Sequence, residues 1–426
     1  MAHALAKTVG RGAKRGDRAA DALLTAMLCL LAIGAVMVYS ASAPTLLSGG
    51  GSGTSELISF LVWGAVGLGG AWLVARRGVG ALRALTGPLL LLSFVLLIAV
   101  RLPHLGHATN GAQRWIGVGP FEFEPSELMK LALVLYTAQV LAGRLGNAPS
   151  LQVALKRIGI VGGAAALLVV TQPDLGTTLV ISFTLGSMIV LAGVRLRMIL
   201  YGLLVAAVLV LGFALVNRYA FDRLTSFVDP WAHSSTTGYQ AVQGQVAIGS
   251  GGLLGRGPGG GITKDQYLPN GSTDFILAVI GEELGVLGVC AVLGLYGLLI
   301  FCGLHIARAA HDSYSLLLAS GVTALIGVQA VLNVFAVLSL APLTGVPLPF
   351  VSYGSSSLLV MLVAVGALLA VARDNAVGLR LVERTREQKA KRSVGERSPN
   401  SDRGRWDRGT RHAGAGGGRR ASRARG

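Results

Sequence analysis

The sequence predicts an all-α polytopic membrane protein with ten transmembrane helices, both termini in the cytoplasm and a long external loop between spans 7 and 8. Three observations carry this. Of the 426 residues, 52% are apolar and only 13% charged, about half the charge of an ordinary soluble chain. The apolar residues fall into successive runs, several of them short of the ~20 residues that cross a bilayer as a helix. The Lys and Arg residues between those runs sit on alternate loops, as the positive-inside rule requires.

Residues 1–21 form a basic cytoplasmic tail. The apolar run Ala22–Tyr39 follows and ends in SASAP. It has the outline of a secretory signal, but it exceeds an h-region of about 7–15 residues and a proline follows the small-residue site. It therefore counts as span 1. A Gly/Ser-rich loop leads to span 2, Leu57–Ala75, which stops at Arg76-Arg77. Span 3 covers Ala84–Val100, and a polar segment, Arg101–Glu127, precedes span 4, Leu128–Gly143. Spans 5 and 6, Ile158–Thr171 and Thr177–Val194, are joined by the tight turn QPDLG. Span 7, Met198–Val216, opens into the external loop 218–273. Span 8 ends near Ile306, span 9 covers Tyr314–Leu340, and span 10 covers Ser355–Ala372. The ten-span domain is thus 22–372, and 373–426 is a basic tail too poor in apolar residues to fold.

Net charge is +17. From Arg373 onward there are 16 Lys/Arg against 6 Asp/Glu, and the first 21 residues add a further +3. Basic residues that flank membrane spans point to anionic lipid and topology, not to nucleic acid. The three cysteines, Cys29, Cys290 and Cys302, lie inside apolar runs and offer neither a disulfide framework nor a metal cluster. Between residues 22 and 372, Asp312 alone of the acids falls on the inner side. The outer face is the one equipped for chemistry.

Four stretches on that face stand out. The first is TDFILAVIGEELG. Asp274 stands where loop becomes helix, a position that suits a capping carboxylate as well as a catalytic one. Phe275–Ile306 would be roughly 48 Å of helix, too long for a ~30 Å hydrocarbon layer. The first turns, with Glu282 and Glu283, are therefore expected outside the core, and spanning begins near Gly285. Glu282 and Glu283 read as supporting ion-pair partners. The second stretch is the glycine-rich GSGGLLGRGPGGG. It lacks the Gly-Lys-Ser/Thr of a nucleotide loop. Its N–H groups with Arg256 and Lys264 could receive a diphosphate, and a plain external loop is the alternative. The third is the segment around Arg114, Glu127 and Lys130. Glu127 and Lys130 are spaced to pair on one helix face, and Lys130 needs a partner or an anionic head group inside the membrane. The fourth is PLTGVPLPFVSYG, whose prolines forbid helix and which fits as a cavity wall.

Together GAQRWIGVGPFEFEPSELMKLALVLY, QPDLGT, DPW, GYQAVQGQVAIGSGGLLGRG, LPNGSTDFILAVIGEELG and PLTGVPLPFVSYGSSS resemble the SEDS family (FtsW, RodA and SpoVE) over about residues 25–375. NGAQRW and the long basic tails resemble the division branch more than the elongation branch. The resemblance implies a peptidoglycan glycosyltransferase that polymerises lipid II on the outer face of the bacterial plasma membrane at the division septum. It also implies a class B penicillin-binding protein and other divisome proteins as partners. It makes Asp274 the essential aspartate and aligns Arg114, Glu127 and Lys130 with family positions. The family commonly has Gln where this chain has Glu124, and LPEAHTDF where it has LPNGSTDF.

On this reading a sugar hydroxyl attacks the anomeric carbon as diphosphate leaves. Asp274 serves as general base. Arg114, Lys130, Arg256 or Lys264, or a divalent cation, meets the leaving group. A transporter that flips lipid II is the rival, as is a scaffold that only recruits the synthase. The acids gather at one face instead of the midplane, and the chain shows no internal repeat, which is unlike a transporter.

Overall fold

The computed structural model describes residues 2–48, 52–102, 105–109, 112–118, 121–145, 151–194, 197, 202, 204, 208, 212, 221, 227–236, 238–263 and 268–395. It divides into two compact units, Met1–Leu379 and Arg380–Gly426. The described part of the second, 380–395, has helical backbone. Most of span 7, Lys264 and the end of the basic tail lie outside the described residues.

Nine helices and one small sheet make up the described chain: α1 (Ala2–Ser48), α2 (Ser55–Ala99), β1 (Gly106–Thr109), β2 (Ala112–Val118), β3 (Phe121–Phe123), α3 (Pro125–Leu145), α4 (Leu151–Val170), α5 (Leu175–Leu191), α6 (Tyr239–Gly251), α7 (Ile276–Arg308), α8 (Ser313–Val337) and α9 (Ser355–Gly395). Six contain stretches long and apolar enough to cross a membrane: Arg18–Pro44, Ser55–Ala99, Leu151–Val170, Ile276–Arg308, Ser313–Val337 and Ser355–Ala376. The chain is a largely helical, multi-pass membrane protein. The expected spans 2 and 3 form one helical element broken at Gly78, whose φ of 75° and ψ of 176° interrupt the helix. The second half restarts with Val79 N–H donating to Asp374 Oδ2 at 3.2 Å.

α8 is the centre. Most of its residues are buried, while Leu316, Val331 and Phe335 stay open, and it packs on α3, α5 and α7. α1 lies along α7 and α2, and α6 rests on α7. Small residues bring α2 and α9 together: a methyl group at Gly67 or Gly366 would collide with Leu362 or with the main chain of Ala71, a common way for membrane helices to approach.

One feature departs from the all-α expectation. Segment 101–127 contains the three-stranded antiparallel sheet, in order β1-β2-β3. Its register pairs Gly106 with Ile116, and Ile116 in turn with Phe123. Alternating residues in AQRWIGV and FEF suit a pleat, and the segment is too polar to enter lipid. The segment 218–273, expected as an external loop, contains α6, whose small residues fit close packing: a side chain at Gly244 would strike Phe275, and one at Gly251 the carbonyl of Gly281.

Candidate active site

Asp274 sits on a turn. Asn270 adopts a left-handed φ of 56°, which asparagine tolerates. Its carbonyl accepts from the N–H groups of Thr273 at 3.1 Å and Phe275 at 3.3 Å. The Thr273 hydroxyl lies 3.1 Å from Asp274 Oδ1. The cap position of α7 falls to Phe275, so the turn presents the Asp274 carboxylate one residue ahead of the helix, where it is half-buried. The turn is tied down from two sides. Tyr353 N–H donates to Ser272 O at 2.8 Å, and Asn333 Nδ2 donates to Asp274 O at 2.8 Å.

The Lys130–Glu127 pair forms as its spacing requires. Lys130 Nζ meets Glu127 Oε1 at 2.8 Å with both side chains sealed from solvent. It also meets Gln329 Oε1 at 2.7 Å. Gln329 Nε2 reaches Pro347 O at 3.0 Å and Ser357 Oγ at 3.3 Å. Asn333 Nδ2 reaches Val346 O at 2.9 Å. The proline-rich segment before α9 is non-helical, and its Val346 and Pro347 carbonyls are satisfied by two amides of α8.

Arg114, on β2, turns toward the QPDLG turn. Its Nε donates to Gln172 O at 3.0 Å, Nη2 donates to Pro173 O, and Nη1 lies 3.7 Å from Asp174 Oδ1. Asp174 in turn caps α5 through Thr177 N–H at 3.1 Å. Between these groups lies Glu124. Its N–H donates to Ser356 Oγ at 3.2 Å, and Ser126 Oγ donates to its Oε1 at 2.7 Å. Burial, with the carboxylates of Asp174 and Glu127 nearby, pushes the Glu124 carboxyl up to about 8.

Glu282 and Glu283 are fully buried. Both accept from the glycine-rich segment. Ile262 N–H reaches Glu282 Oε1 at 2.8 Å, the Thr263 hydroxyl donates to Glu282 Oε2, and Gly259 N–H reaches Glu283 Oε2 at 2.9 Å. Ser40 of α1 donates to Glu283 Oε1 at 2.7 Å. A backbone amide is the better partner because a buried carboxylate needs several fixed donors, and glycine lets the main chain come close. These N–H groups are spent inside the protein and do not face a diphosphate. Arg256 is exposed, with its Nε toward Ser250 O at 3.4 Å.

The same segment repairs a broken helix. At Gly285 α7 takes φ 67° and ψ −168°, a region essentially reserved for glycine. The carbonyls of Glu282 and Glu283 accept from Arg256 N–H at 3.0 Å and Gly257 N–H at 2.9 Å, and the N–H groups of Val286 and Leu287 donate to Gly252 O at 3.0 Å and Leu253 O at 3.3 Å. The break falls where spanning was expected to begin.

The structure thus links Asp274 with Lys130 and Glu127 through α8, sets Arg114 of β2 against the QPDLG turn, and gathers Glu282 and Glu283 of α7 with the glycine-rich segment that carries Arg256. Sequence reasoning missed Gln329 and Asn333. Their signal was present: two amides four residues apart in an otherwise apolar span. Among the described residues no group of three His, Cys, Asp or Glu is placed to hold a metal ion.

The family model of cell cycle proteins that covers FtsW, RodA and SpoVE matches residues 21–376. Stage V sporulation protein E of Bacillus subtilis is 37% identical over 352 residues, 82% of this chain and 96% of the relative. A probable peptidoglycan glycosyltransferase FtsW of Halothiobacillus neapolitanus is 38% identical over 367 residues, 85% of this chain and 88% of the relative. Among solved structures, a chain of a peptidoglycan synthase complex superposes with TM-score 0.69 at 31% identity, covering 83% of this chain and 97% of that one. The rod shape determining protein RodA of Thermus thermophilus superposes with TM-score 0.61 at 30% identity, covering 83% and 96%.

Proposed function

The chain belongs to the cell cycle protein family of FtsW, RodA and SpoVE, and from that premise we infer that it is a peptidoglycan glycosyltransferase whose base is Asp274. The observation that carries the site is the Asp274 turn, pinned by Asn333 to the helix that also holds Lys130.

The substrate is lipid II, an undecaprenyl diphosphate bearing a disaccharide-peptide. A hydroxyl of the acceptor sugar gives its proton to the Asp274 carboxylate and attacks the anomeric carbon. The bond to the diphosphate breaks, and the leaving group carries away the electron pair. Lys130 Nζ donates to Glu127 and Gln329, which fixes its charge inside the bundle. Arg114 and Lys130 hold positive charge at this end of the bundle for the leaving group, and Arg256 and Lys264 belong to the loop above. No step here runs through a metal. An α-linked donor yields a β-linked strand by one inversion.

The membrane domain is 22–372, with ten spans and both termini inside, flanked by basic cytoplasmic tails 1–21 and 373–426. Ten spans put the loop 218–273 and Asp274 outside, where the lipid carrier's head group lies. The partner is a class B penicillin-binding protein that cross-links the product, and the site of action is the division septum among other divisome proteins.

The test uses purified, reconstituted protein supplied with lipid II. Asp274→Asn is expected to insert normally and to lose at least about 10²-fold in glycan formation. Polymerisation at the wild-type rate by this variant overturns the assignment.

A further inference from the structure

Gln329 and Asn333 have no chemical part in the reaction, yet both are buried and both touch what does. We propose that they are positioning residues: two rungs on one face of α8 that set the distance between Asp274 and the Lys130–Glu127 pair. The proposal rests on the reading of Asp274 as the base.

Residues four apart lie one above the other on a helix face, and Gln329 and Asn333 are both buried on the packed side of α8, so one helical segment carries both amides. Each amide has one orientation available. Asn333 Nδ2 lies 2.8 Å from Asp274 O and 2.9 Å from Val346 O. Two carbonyls can be met only by the NH₂ end. Gln329 Oε1 lies 2.7 Å from the Lys130 ammonium, which only donates, so its NH₂ end must face Pro347 O at 3.0 Å. The upper rung therefore holds the main chain of the base, and the lower rung holds the cation. Both rungs grip consecutive carbonyls, Val346 and Pro347, of one segment. That segment in turn reaches back to the catalytic turn through Tyr353 N–H and Ser272 O at 2.8 Å. The result is a closed circuit: Asp274, Asn333, Val346–Pro347, Tyr353, Ser272 and back.

Stability alone is a poor account of this arrangement. Asn333 Oδ1 is buried without a hydrogen-bond partner, a net cost, and hydrogen bonds between membrane helices are individually weak. What the amides supply is alignment, to which reaction rate is far more sensitive than folding is.

The experiment takes full-length protein with Asn333→Leu, Gln329→Met and, in parallel, Asp274→Asn, reconstituted and given lipid II over a range of concentrations. Melting of each purified variant is recorded beside its kinetics. For Asn333→Leu and Gln329→Met we expect kcat to fall about 10²-fold with KM within about threefold of wild type. The melting temperature is expected to stay close to wild type. The double variant should lose less than the product of the single losses, since both act on one circuit. If Asn333→Leu does not yield folded protein, Asn333→Ala, which removes the donor and leaves the neighbours room to relax, is read in its place. Folded variants with wild-type kcat beside an inactive Asp274→Asn overturn the positioning role and leave the base assignment standing. Activity lost only in proportion to folded protein overturns it equally. An active Asp274→Asn overturns both.

Discussion

Lys130 Nζ and Glu127 Oε1 meet at 2.8 Å with neither side chain open to solvent. Breaking one half of such a pair strands the other charge. Glu127→Gln and Lys130→Met are each expected to cost about 3–5 kcal/mol of stability. The double substitution should recover much of that loss, because no bare charge remains, while polymerisation stays absent. Detergent-solution melting curves and glycan assays on the three variants separate the two effects.

Glu124 makes stability depend on pH. Its carboxyl is raised from 4.5 to about 8 by burial and by the nearby Asp174 and Glu127 carboxylates. Between those values the folded protein holds a proton that the unfolded chain has released. The contribution is thus fully present below pH 4.5 and is lost as pH rises through about 8. Glu124→Gln imitates the protonated acid permanently, and the family commonly carries Gln here. Melting temperature measured from pH 5 to 9 should fall more steeply in wild type than in this variant. Parallel profiles would remove Glu124 from the account.

Glu282 holds the glycine-rich segment by its main chain. Glu282→Ala removes the acceptor of Ile262 N–H and Thr263 N–H, and those amides should exchange with deuterium at least about tenfold faster. Exchange within α8 should be unchanged. Equal acceleration in both regions would mean general loosening, not release of one segment.

Gly285 admits no side chain. Its φ of 67° is joined to close approach by Leu253 O and Gly255 N, so Gly285→Ala should sharply reduce the yield of folded, membrane-inserted protein. Gly69, which faces open space within α2, is the control. Gly69→Ala should leave yield unchanged or raise it, since alanine favours helix by about 1 kcal/mol over glycine.

What the sequence made legible was local. The i, i+3 pair of Glu127 and Lys130 could be read from spacing, and the break near Gly285 from a run too long for the bilayer. The prolines before α9 announced irregular backbone. Partners distant in sequence could not be read. Glu282 and Glu283 suggest ion pairing by their charge alone, and the hydrogen bonds they accept from main-chain amides 20 and 24 residues upstream leave no local signature. Gln329 and Asn333 were hidden for a related reason: an amide in an apolar helix reveals its meaning only through what it touches, and Lys130 is 199 residues from Gln329. The small sheet escaped because its strands are only 3–7 residues long.

The ladder between 252–257 and 282–287 also separates two mechanical duties. Residues 286–308 keep an open apolar side, with Val286, Leu287, Leu293, Leu298 and Phe301 exposed, the kind of surface that meets lipid. Residues 276–284 answer to α6, α8 and the loop, which are protein. The helix break thus marks the boundary between a stretch packed wholly in protein and one that keeps an open apolar side.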